Sequence, residues 1–151
     1  MIDSTLYEKL LRFCEYSERC KSDVLKKFIR LKQPKTEALP YLEKLEQIGV
    51  LNEKRYVKSF IHSHVTYKKW GTTKIKHALG AKGIKQEFYQ EFLAAIDEED
   101  YKETIKTLVE RKLKSIKGET ALERKTKLIR FLAGRGFEMG VIQKVLKEIK
   151  L

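Results

Sequence analysis

Residues 77–96, HALGAKGIKQEFYQEFLAAI, and residues 130–149, RFLAGRGFEMGVIQKVLKEI, follow one pattern at an offset of 53 positions. In both segments a leucine is followed three positions later by a basic residue, then by a glycine and a large apolar residue. A looser copy precedes them, because an offset of 51 positions places Phe28 opposite Leu79. Self-similarity with a period of about 50 residues indicates a tandem repeat.

We therefore predict three tandem units of three helices each within the 151 residues of the chain. The predicted units are residues 1–50, 51–97 and 98–151. A unit of about 50 residues buries too little apolar surface to be very stable alone. We expect neighbouring units to pack end to end in an elongated array.

Apolar residues recur at spacings of three and four along the chain, as in Leu6, Leu10 and Phe13. Proline and glycine are scarce, and no segment alternates apolar and polar residues over a strand's length. This pattern predicts an all-α protein with about nine helices.

Polar residues and glycines predict where these helices begin and end. The predicted N-caps of the first four helices are Ser4, Ser22, Thr36 and Asn52. Thr72 is expected to start the fifth helix, and Gly49 and Gly83 are expected to end the third and the fifth. The acidic run at 97–100 suits the N-terminus of a seventh helix, where it meets the positive end of the helix dipole.

The net charge of +12 favours a polyanionic partner, which could be nucleic acid, an acidic protein surface or anionic lipid. The alternative is a basic but inert soluble protein. Segregation of the charge argues against that alternative, because residues 54–86 contain eight Lys, one Arg and all three His but no Asp or Glu. A solvated helix face normally mixes both signs.

Cysteine content and hydropathy suggest a cytoplasmic protein. The two cysteines, Cys14 and Cys20, are too few for a disulfide framework and are expected to be reduced thiols in the core. The N-terminus lacks the cationic and apolar regions of a signal peptide. No stretch approaches the roughly 18 apolar residues of a membrane span.

Three stretches resemble the RecX family of bacterial recombination regulators: LNEKRYVKSFI at 51–61, KWGTTKIKHALGAKGI at 69–84 and FLAGRGF at 131–137. The matching residues are Leu51, Asn52, Glu53, Arg55, Tyr56, Gly71, Lys74, Ile75, Leu79, Lys82, Gly83, Ile84, Arg135, Gly136 and Phe137. The resemblance departs from the family pattern at Asn52, where an Asp is usual, and at Gln33–Pro34, where a glycine-containing turn is expected.

The resemblance implies tandem three-helix repeats that bind RecA filaments on single-stranded DNA. It further implies inhibition of RecA ATPase and of strand exchange, without catalysis or a cofactor of the protein's own. Weak direct binding to DNA is expected of so basic a chain, and we expect a monomer.

The candidate contact residues for the anionic partner are the cations near the matched motifs and in the third unit. They are Arg55, Lys58, Lys68, Lys69, Lys74, Lys76, Lys82, Arg111, Lys112, Arg130 and Arg135. The last unit also carries neighbouring cations at Lys114, Lys117, Arg124, Lys125 and Lys127. Any single lysine of this set can simply be solvated, whereas the cluster as a whole favours an anionic partner.

Trp70 has two interpretations. It can contact the partner beside Lys68 and Lys69, with the indole packed at the interface. It can instead belong to the core between two helices, and then it holds these lysines in place. We favour the core interpretation, with Gly71 closing the helix end.

The Lys82-Gly83-Ile84 and Arg135-Gly136-Phe137 motifs form one structural device used twice. The glycine is expected to adopt a positive φ at a helix C-terminus, and the apolar residue after it to pack back into its unit. This explains both motifs without a ligand, so a binding role for Lys82 and Arg135 stays open.

No enzyme class is indicated. His62 and His64 are two residues apart and point in different directions on a helix, unlike a zinc-binding spacing. No phosphate-binding loop or recognisable nucleophile setting occurs. The main alternative to a RecX-like regulator is a stand-alone DNA-binding protein that uses its fourth and fifth helices as a helix-turn-helix. A helical adaptor for another acidic protein is a third possibility.

Overall fold

The computed structural model describes residues 1–118 and 120–151. Over these residues the chain forms nine α-helices, one short 3-10 helix and no strand, which confirms the all-α prediction. The helices are α1 (Ser4–Tyr16), α2 (Lys21–Arg30), α3 (Leu39–Gln47), α4 (Glu53–Thr66), α5 (Thr72–Ala81), α6 (Gln86–Ala94), α7 (Glu98–Leu113), α8 (Ala121–Gly134) and α9 (Met139–Lys147). The 3-10 helix is Lys35–Glu37.

The chain divides into two compact units. The first unit comprises Met1–Phe60 and Leu79–Tyr89, and the second comprises Ile61–Ala78 and Gln90–Leu151. The helices form three-helix repeats, as predicted from the sequence. The repeat boundaries at 50/51 and 97/98 and the elongated arrangement stay predictions.

The core of the first unit forms where α1, α2 and α3 bury their apolar faces. Its buried residues are Leu10, Cys14, Val24, Phe28, Ala38, Tyr41, Leu45 and Leu51. The rings of Phe28 and Tyr41 pack with centroids 5.2 Å apart, and the backbone N–H of Asp3 donates to the Tyr41 hydroxyl at 2.8 Å. Burial raises the pKa of the Cys14 thiol to about 11, so it is a protonated core residue at neutral pH.

The core of the second unit lies among α7, α8 and α9. It buries Tyr101, Ile105, Leu108, Val109, Leu128, Leu132, Phe137, Ile142, Val145 and Leu146. Leu132 and Phe137 come from the repeated motif, and their counterparts Leu79 and Ile84 are also buried. The apolar positions of the repeat are therefore core positions in both copies.

Three of the four predicted N-caps are wrong, in each case because the helix begins elsewhere. Asp3, and not Ser4, caps α1, since its carboxylate accepts from Thr5 N at 2.8 Å and Leu6 N at 3.0 Å. The helix α2 begins at Lys21, ahead of Ser22, and Thr36 lies inside the 3-10 helix. Asn52 is confirmed, because its side-chain oxygen accepts from Arg55 N at 2.9 Å.

The repeated glycines adopt the expected conformation. The φ angles are 76° at Gly83 and 96° at Gly136, and the N–H of the next apolar residue donates back into the preceding helix in both motifs. Ile84 N donates to Leu79 O at 3.1 Å, and Phe137 N donates to Leu132 O at 3.2 Å. These 6→1 hydrogen bonds satisfy helix C-terminal carbonyls and turn the apolar side chain inward.

The N-terminus of α5 is held by the turn between α8 and α9. Gly71 N donates to Arg135 O at 2.8 Å, Thr73 N donates to Gly136 O at 3.0 Å, and Thr72 N donates to the Tyr101 hydroxyl at 2.9 Å. Tertiary contacts thus satisfy N–H groups that a helix start leaves without intrahelical partners. We call this set of contacts the glycine joint.

Two glycines make the joint possible because the two backbones approach closely. A Cβ added at Gly71 would lie 2.2 Å from the Gly136 carbonyl carbon, and one added at Gly136 would lie 2.5 Å from Lys74 N. Both contact atoms belong to the backbone, so neither can move aside as the end of a flexible side chain could. Residues with side chains are therefore excluded at both positions.

A polar cluster flanks the joint. The Tyr101 hydroxyl and the Thr72 hydroxyl each donate to Glu138 Oε1 at 2.7 Å. Burial and the neighbouring Glu138 carboxylate raise the pKa of Tyr101, which keeps its hydroxyl protonated and donating.

We expect Gly136→Ala to lower the free energy of unfolding by about 2–4 kcal/mol, from the left-handed backbone penalty and the clash with Lys74. Gly134→Ala is the matched control, because an added Cβ there meets nothing within 4 Å at the end of α8. It should be neutral or slightly stabilising. Urea unfolding followed by circular dichroism measures both, and equal effects of the two variants would contradict the joint.

Candidate functional site

The turn between α4 and α5 presents the tryptophan and two of the predicted cations. Trp70 N donates to His64 O at 2.9 Å, and Lys69 takes a positive φ of 54°. The Trp70 indole is partly buried, with its ring centroid 4.6 Å from that of His64. The Lys74 ammonium lies 4.4 Å from the centre of the indole, at cation–π distance. Trp70 therefore lies against Lys74, while its assignment to the core between two helices stays a prediction.

Arg135 fixes the backbone of this turn. Its Nε donates to Lys69 O at 3.2 Å, and its NH2 donates to Lys68 O at 2.5 Å. The carbonyls of both lysines face Arg135, while the Lys68 side chain is exposed. Arg135 consequently has a structural role in positioning the two lysines, whatever contact with a partner it also makes.

The guanidinium of Arg135 also faces α8, where it lies 5.7 Å from the Phe131 ring centroid. The Lys112 ammonium lies 4.9 Å from the same ring. Phe131 is thus flanked by cations from α7 and from the α8–α9 turn. Sequence analysis missed Phe131, although its position four residues after Lys127 was a signal for a shared helix face.

A surface cavity of about 480 Å³ opens beside this ring. We call it the α7–α8 pocket; it is lined by Lys112, Ser115, Ile116, Lys117, Lys127, Arg130 and Phe131. The structure therefore connects the predicted cations Lys112 and Arg130 with Arg135 through one aromatic ring. Lys76 and Arg111 are exposed and are not among the described lining residues.

The predicted cations of the second unit are not neutralised by neighbouring acids. Among the residues that the structure describes, none of these cations lies within 4.0 Å of a carboxylate oxygen. They are Lys68, Lys69, Lys74, Lys76, Arg111, Lys112, Arg130 and Arg135. Their charge is available to an anionic partner.

In the first unit, the predicted cation Arg55 is held by hydrogen bonds and an ion pair, whereas Lys58 is exposed. Arg55 Nε lies 2.7 and 2.8 Å from the two carboxylate oxygens of Glu18, and its terminal nitrogens donate to Gly49 O at 2.9 Å and Val50 O at 3.2 Å. Arg55 therefore ties the start of α4 to the segment before it. Lys58 is exposed on α4.

Lys82, like Arg55, is a predicted cation that forms an ion pair within the first unit. Its ammonium donates to Asp23 Oδ1 at 2.9 Å and lies 5.6 Å from the Tyr56 ring centroid. Burial is the largest single influence and would lower the pKa of Lys82 and raise that of Asp23. It is outweighed by the sum of their mutual hydrogen bond and charge attraction and of the hydrogen bonds with Tyr56 and Cys20. The pKa of Lys82 is therefore raised, that of Asp23 is lowered, and both stay charged at neutral pH.

Neither a metal centre nor a membrane span is found in the described part of the chain. No group of three or more His, Cys, Asp or Glu side chains is placed to hold a metal ion. None of the described helices has the length and apolar character needed to cross a bilayer.

Family models match two parts of the chain. Residues 52–93 match the second three-helix domain of RecX, and residues 98–146 match the third three-helix domain. These two segments contain the candidate cations of α4, α5, α7 and α8.

Curated proteins named regulatory protein RecX are similar over most of the chain. The protein from Chlorobium phaeobacteroides is 28% identical over 149 residues, covering 97% of this chain and 95% of that protein. The one from Pelodictyon phaeoclathratiforme is 32% identical over 130 residues, covering 85% and 79%. The one from Clostridium botulinum strain Eklund 17B is 30% identical over 115 residues, and the matched chain spans only 52% of its length.

Two crystal structures share the fold. The structure of RecX from Lactobacillus salivarius superposes with a TM-score of 0.85 over 96% of this chain and 94% of that chain, at 22% identity. Another structure of regulatory protein RecX gives a TM-score of 0.87 over 95% and 72%, also at 22% identity. At this level of identity the likeness concerns the fold.

The Asp23–Lys82 pair generates a pH-dependent prediction. Because the folded-state pKa of Asp23 lies below its unfolded value, its contribution is present above the unfolded pKa of about 3.9 and is lost as the pH falls through the folded pKa. We expect Asp23→Asn to cost about 1 kcal/mol at pH 7 and progressively less below pH ~4.

The measurement is the free energy of urea unfolding for both proteins across that pH range. Glu8→Gln serves as the control, because Glu8 pairs with Arg12 at 3.6 Å on an exposed helix face and should cost almost nothing. A cost of Asp23→Asn that does not change with pH would contradict the ion pair.

Proposed function

Because the chain belongs to the RecX family of regulatory proteins, we propose that it binds RecA filaments on single-stranded DNA and inhibits RecA ATPase and strand exchange. In this proposal the protein acts by binding alone, without a catalytic centre or a cofactor. Its predicted partner carries the phosphates of the bound DNA and the acidic side chains of a protein surface together.

The observation that carries the proposal is the group of un-neutralised cations in the second unit. Arg135 holds the backbone carbonyls of Lys68 and Lys69, the Lys74 ammonium lies over the Trp70 ring, and the Lys112 and Arg135 side chains both lie near Phe131. A preorganised cation loses little conformational entropy on binding, so more of its electrostatic attraction remains as affinity. The net charge of +12 adds a longer-range attraction that salt screens.

The glycine joint supports the same proposal through geometry. Its hydrogen bonds connect the turn that carries Lys68 and Lys69 to the turn that carries Arg135. The backbone positions that carry these cations therefore keep a fixed spacing. A partner with regularly placed anionic groups can meet several of them at once, which favours a filament over a single small ligand.

We expect the double variant Lys68→Glu with Lys74→Glu to raise the concentration for half-inhibition of RecA ATPase at least ~10-fold, since like charges facing each other across an interface cost several kcal/mol. Lys68 is exposed, Lys74 lies over the Trp70 ring, and neither pairs with an acid among the described residues. The assay is ATP hydrolysis by RecA on single-stranded DNA at near-physiological salt.

The charge-matched control is Lys26→Glu with Lys35→Glu in the first unit, where both residues are exposed and in no ion pair of the described chain. It should inhibit like the unmodified protein, and circular dichroism should show both variants folded. Full inhibition by the Lys68 and Lys74 variant would remove these residues from the contact surface. Binding to the same DNA without RecA, followed in parallel, separates filament binding from competition for DNA.

A further inference from the structure

We propose that the α7–α8 pocket is a nucleotide-binding site for single-stranded nucleic acid. In this site one base packs against Phe131 while Lys112, Lys117 and Arg130 hold the adjoining phosphates. The inference rests on the proposed function in one respect: both take the surface around α7 and α8 as a contact surface for a partner. It adds the chemical class of the ligand and the residues that recognise it.

The lining of the pocket combines the two components that such a ligand requires. Ile116 and Phe131 provide an apolar floor, and Lys112, Lys117 and Arg130 stand around it. Among the residues that the structure describes, the lining contains no carboxylate. Single-stranded nucleic acid is bound by this combination in general, because every base has an apolar face and every nucleotide carries a phosphate.

The rim of the pocket is held in place before any ligand binds. Arg124 NH1 donates to Gly118 O at 2.9 Å, and its Nε donates to Leu151 O at 3.1 Å. The Lys127 ammonium donates to Lys117 O. The segment that follows α7 is thereby fastened to α8, so the Lys117 side chain starts from a fixed backbone position.

The cations around Phe131 are available for phosphate. The Lys112 ammonium rests 4.9 Å from the ring centroid, and neither Lys112 nor Arg130 is paired with an acid of the described chain. A base entering over the ring displaces this ammonium from the aromatic face. The flexible lysine stem then allows it to follow the phosphate of the same nucleotide.

The dimensions of the pocket suit such a ligand. Its volume of about 480 Å³ lies within the roughly 300–1,000 Å³ of sites that hold small organic ligands. A nucleotide is a ligand of this size class, whereas a folded protein surface would contact only the rim.

The first unit contains the same combination between its first two helices. A cavity there is lined by Lys9, Arg12, Phe13, Tyr16, Arg19, Lys27 and Leu31, again without a carboxylate. The Arg19 guanidinium lies 3.7 Å from the Phe13 ring centroid. The ring of this cavity is on α1 and that of the α7–α8 pocket is on α8, so the two cavities share composition and not a repeat position. Cavities of the same composition in both units fit a polymer whose units are alike. An acidic protein surface changes from one residue to the next, so nucleic acid is the better match.

The test compares binding of the full chain to fluorescent oligo(dT) and to an abasic oligonucleotide of equal length. The two carry the same backbone charge, and only the first carries bases. We expect Phe131→Leu, which keeps an apolar side chain at this partly buried position, to weaken oligo(dT) binding about 5-fold or more and to leave abasic binding unchanged. Phe131→Tyr should retain the preference for oligo(dT).

The phosphate contacts have a separate readout. Lys112→Gln and Arg130→Gln should each reduce the slope of log affinity against log salt by about 0.7, the share of one phosphate contact on a single strand. Lys144→Gln is the control, since Lys144 is exposed on α9 and does not line the pocket. It should leave the slope unchanged.

Two results would overturn the inference. One is a Phe131→Leu variant whose affinities for oligo(dT) and the abasic strand change equally or not at all. The other is a set of pocket variants that bind DNA normally but lose inhibition of RecA, which would make the pocket a protein contact. Because the binding assay contains no RecA, failure of RecA inhibition by the unmodified protein would refute the proposed function and leave the pocket result intact.

Discussion

The start of α5 is the constraint on which the second unit depends. A helix begins with N–H groups that its own backbone cannot satisfy, and at α5 the partners are Arg135 O, Gly136 O and the Tyr101 hydroxyl. Because Gly71 N lies 2.8 Å from Arg135 O and Thr73 N lies 3.0 Å from Gly136 O, the two backbones leave no room for a Cβ at Gly71 or Gly136. The glycine joint therefore exists because the N–H groups of α5 need hydrogen-bond partners. The need for glycine at both positions follows from the close approach that these bonds impose.

The arrangement of the cations follows from this joint. The turn that supplies Gly136 to the joint also supplies Arg135. The Arg135 guanidinium donates to the carbonyls of Lys68 and Lys69 in the α4–α5 turn. The same guanidinium faces Phe131, which also meets Lys112. One turn thus caps a helix, anchors the Trp70 turn and places Arg135 near Phe131, which lines the α7–α8 pocket.

Much of the fold could be predicted from periodicity and glycine placement, because Leu79, Leu132, Gly83 and Gly136 express local rules of helix packing and helix ending. The joint could not be predicted, since a close approach between positions 71 and 136 leaves no periodic signal in one sequence. The candidate cations were identified from their charge alone, and the charge of a residue does not show which side chain of the same protein it contacts. Lys82 belongs to an ion pair with Asp23, whereas Lys74 faces an indole.

The partners of the structural cations have a consequence for the electric field of the molecule. Arg55 and Lys82 are bound by carboxylates, so each pair is close to a dipole whose field falls off steeply with distance. Arg135 also fixes a turn, but it donates to neutral backbone carbonyls, so its positive charge is not cancelled by a carboxylate. Two ways of building a stable turn thus leave different far fields, and Arg135 attracts an approaching polyanion over a longer range than either neutralised pair does.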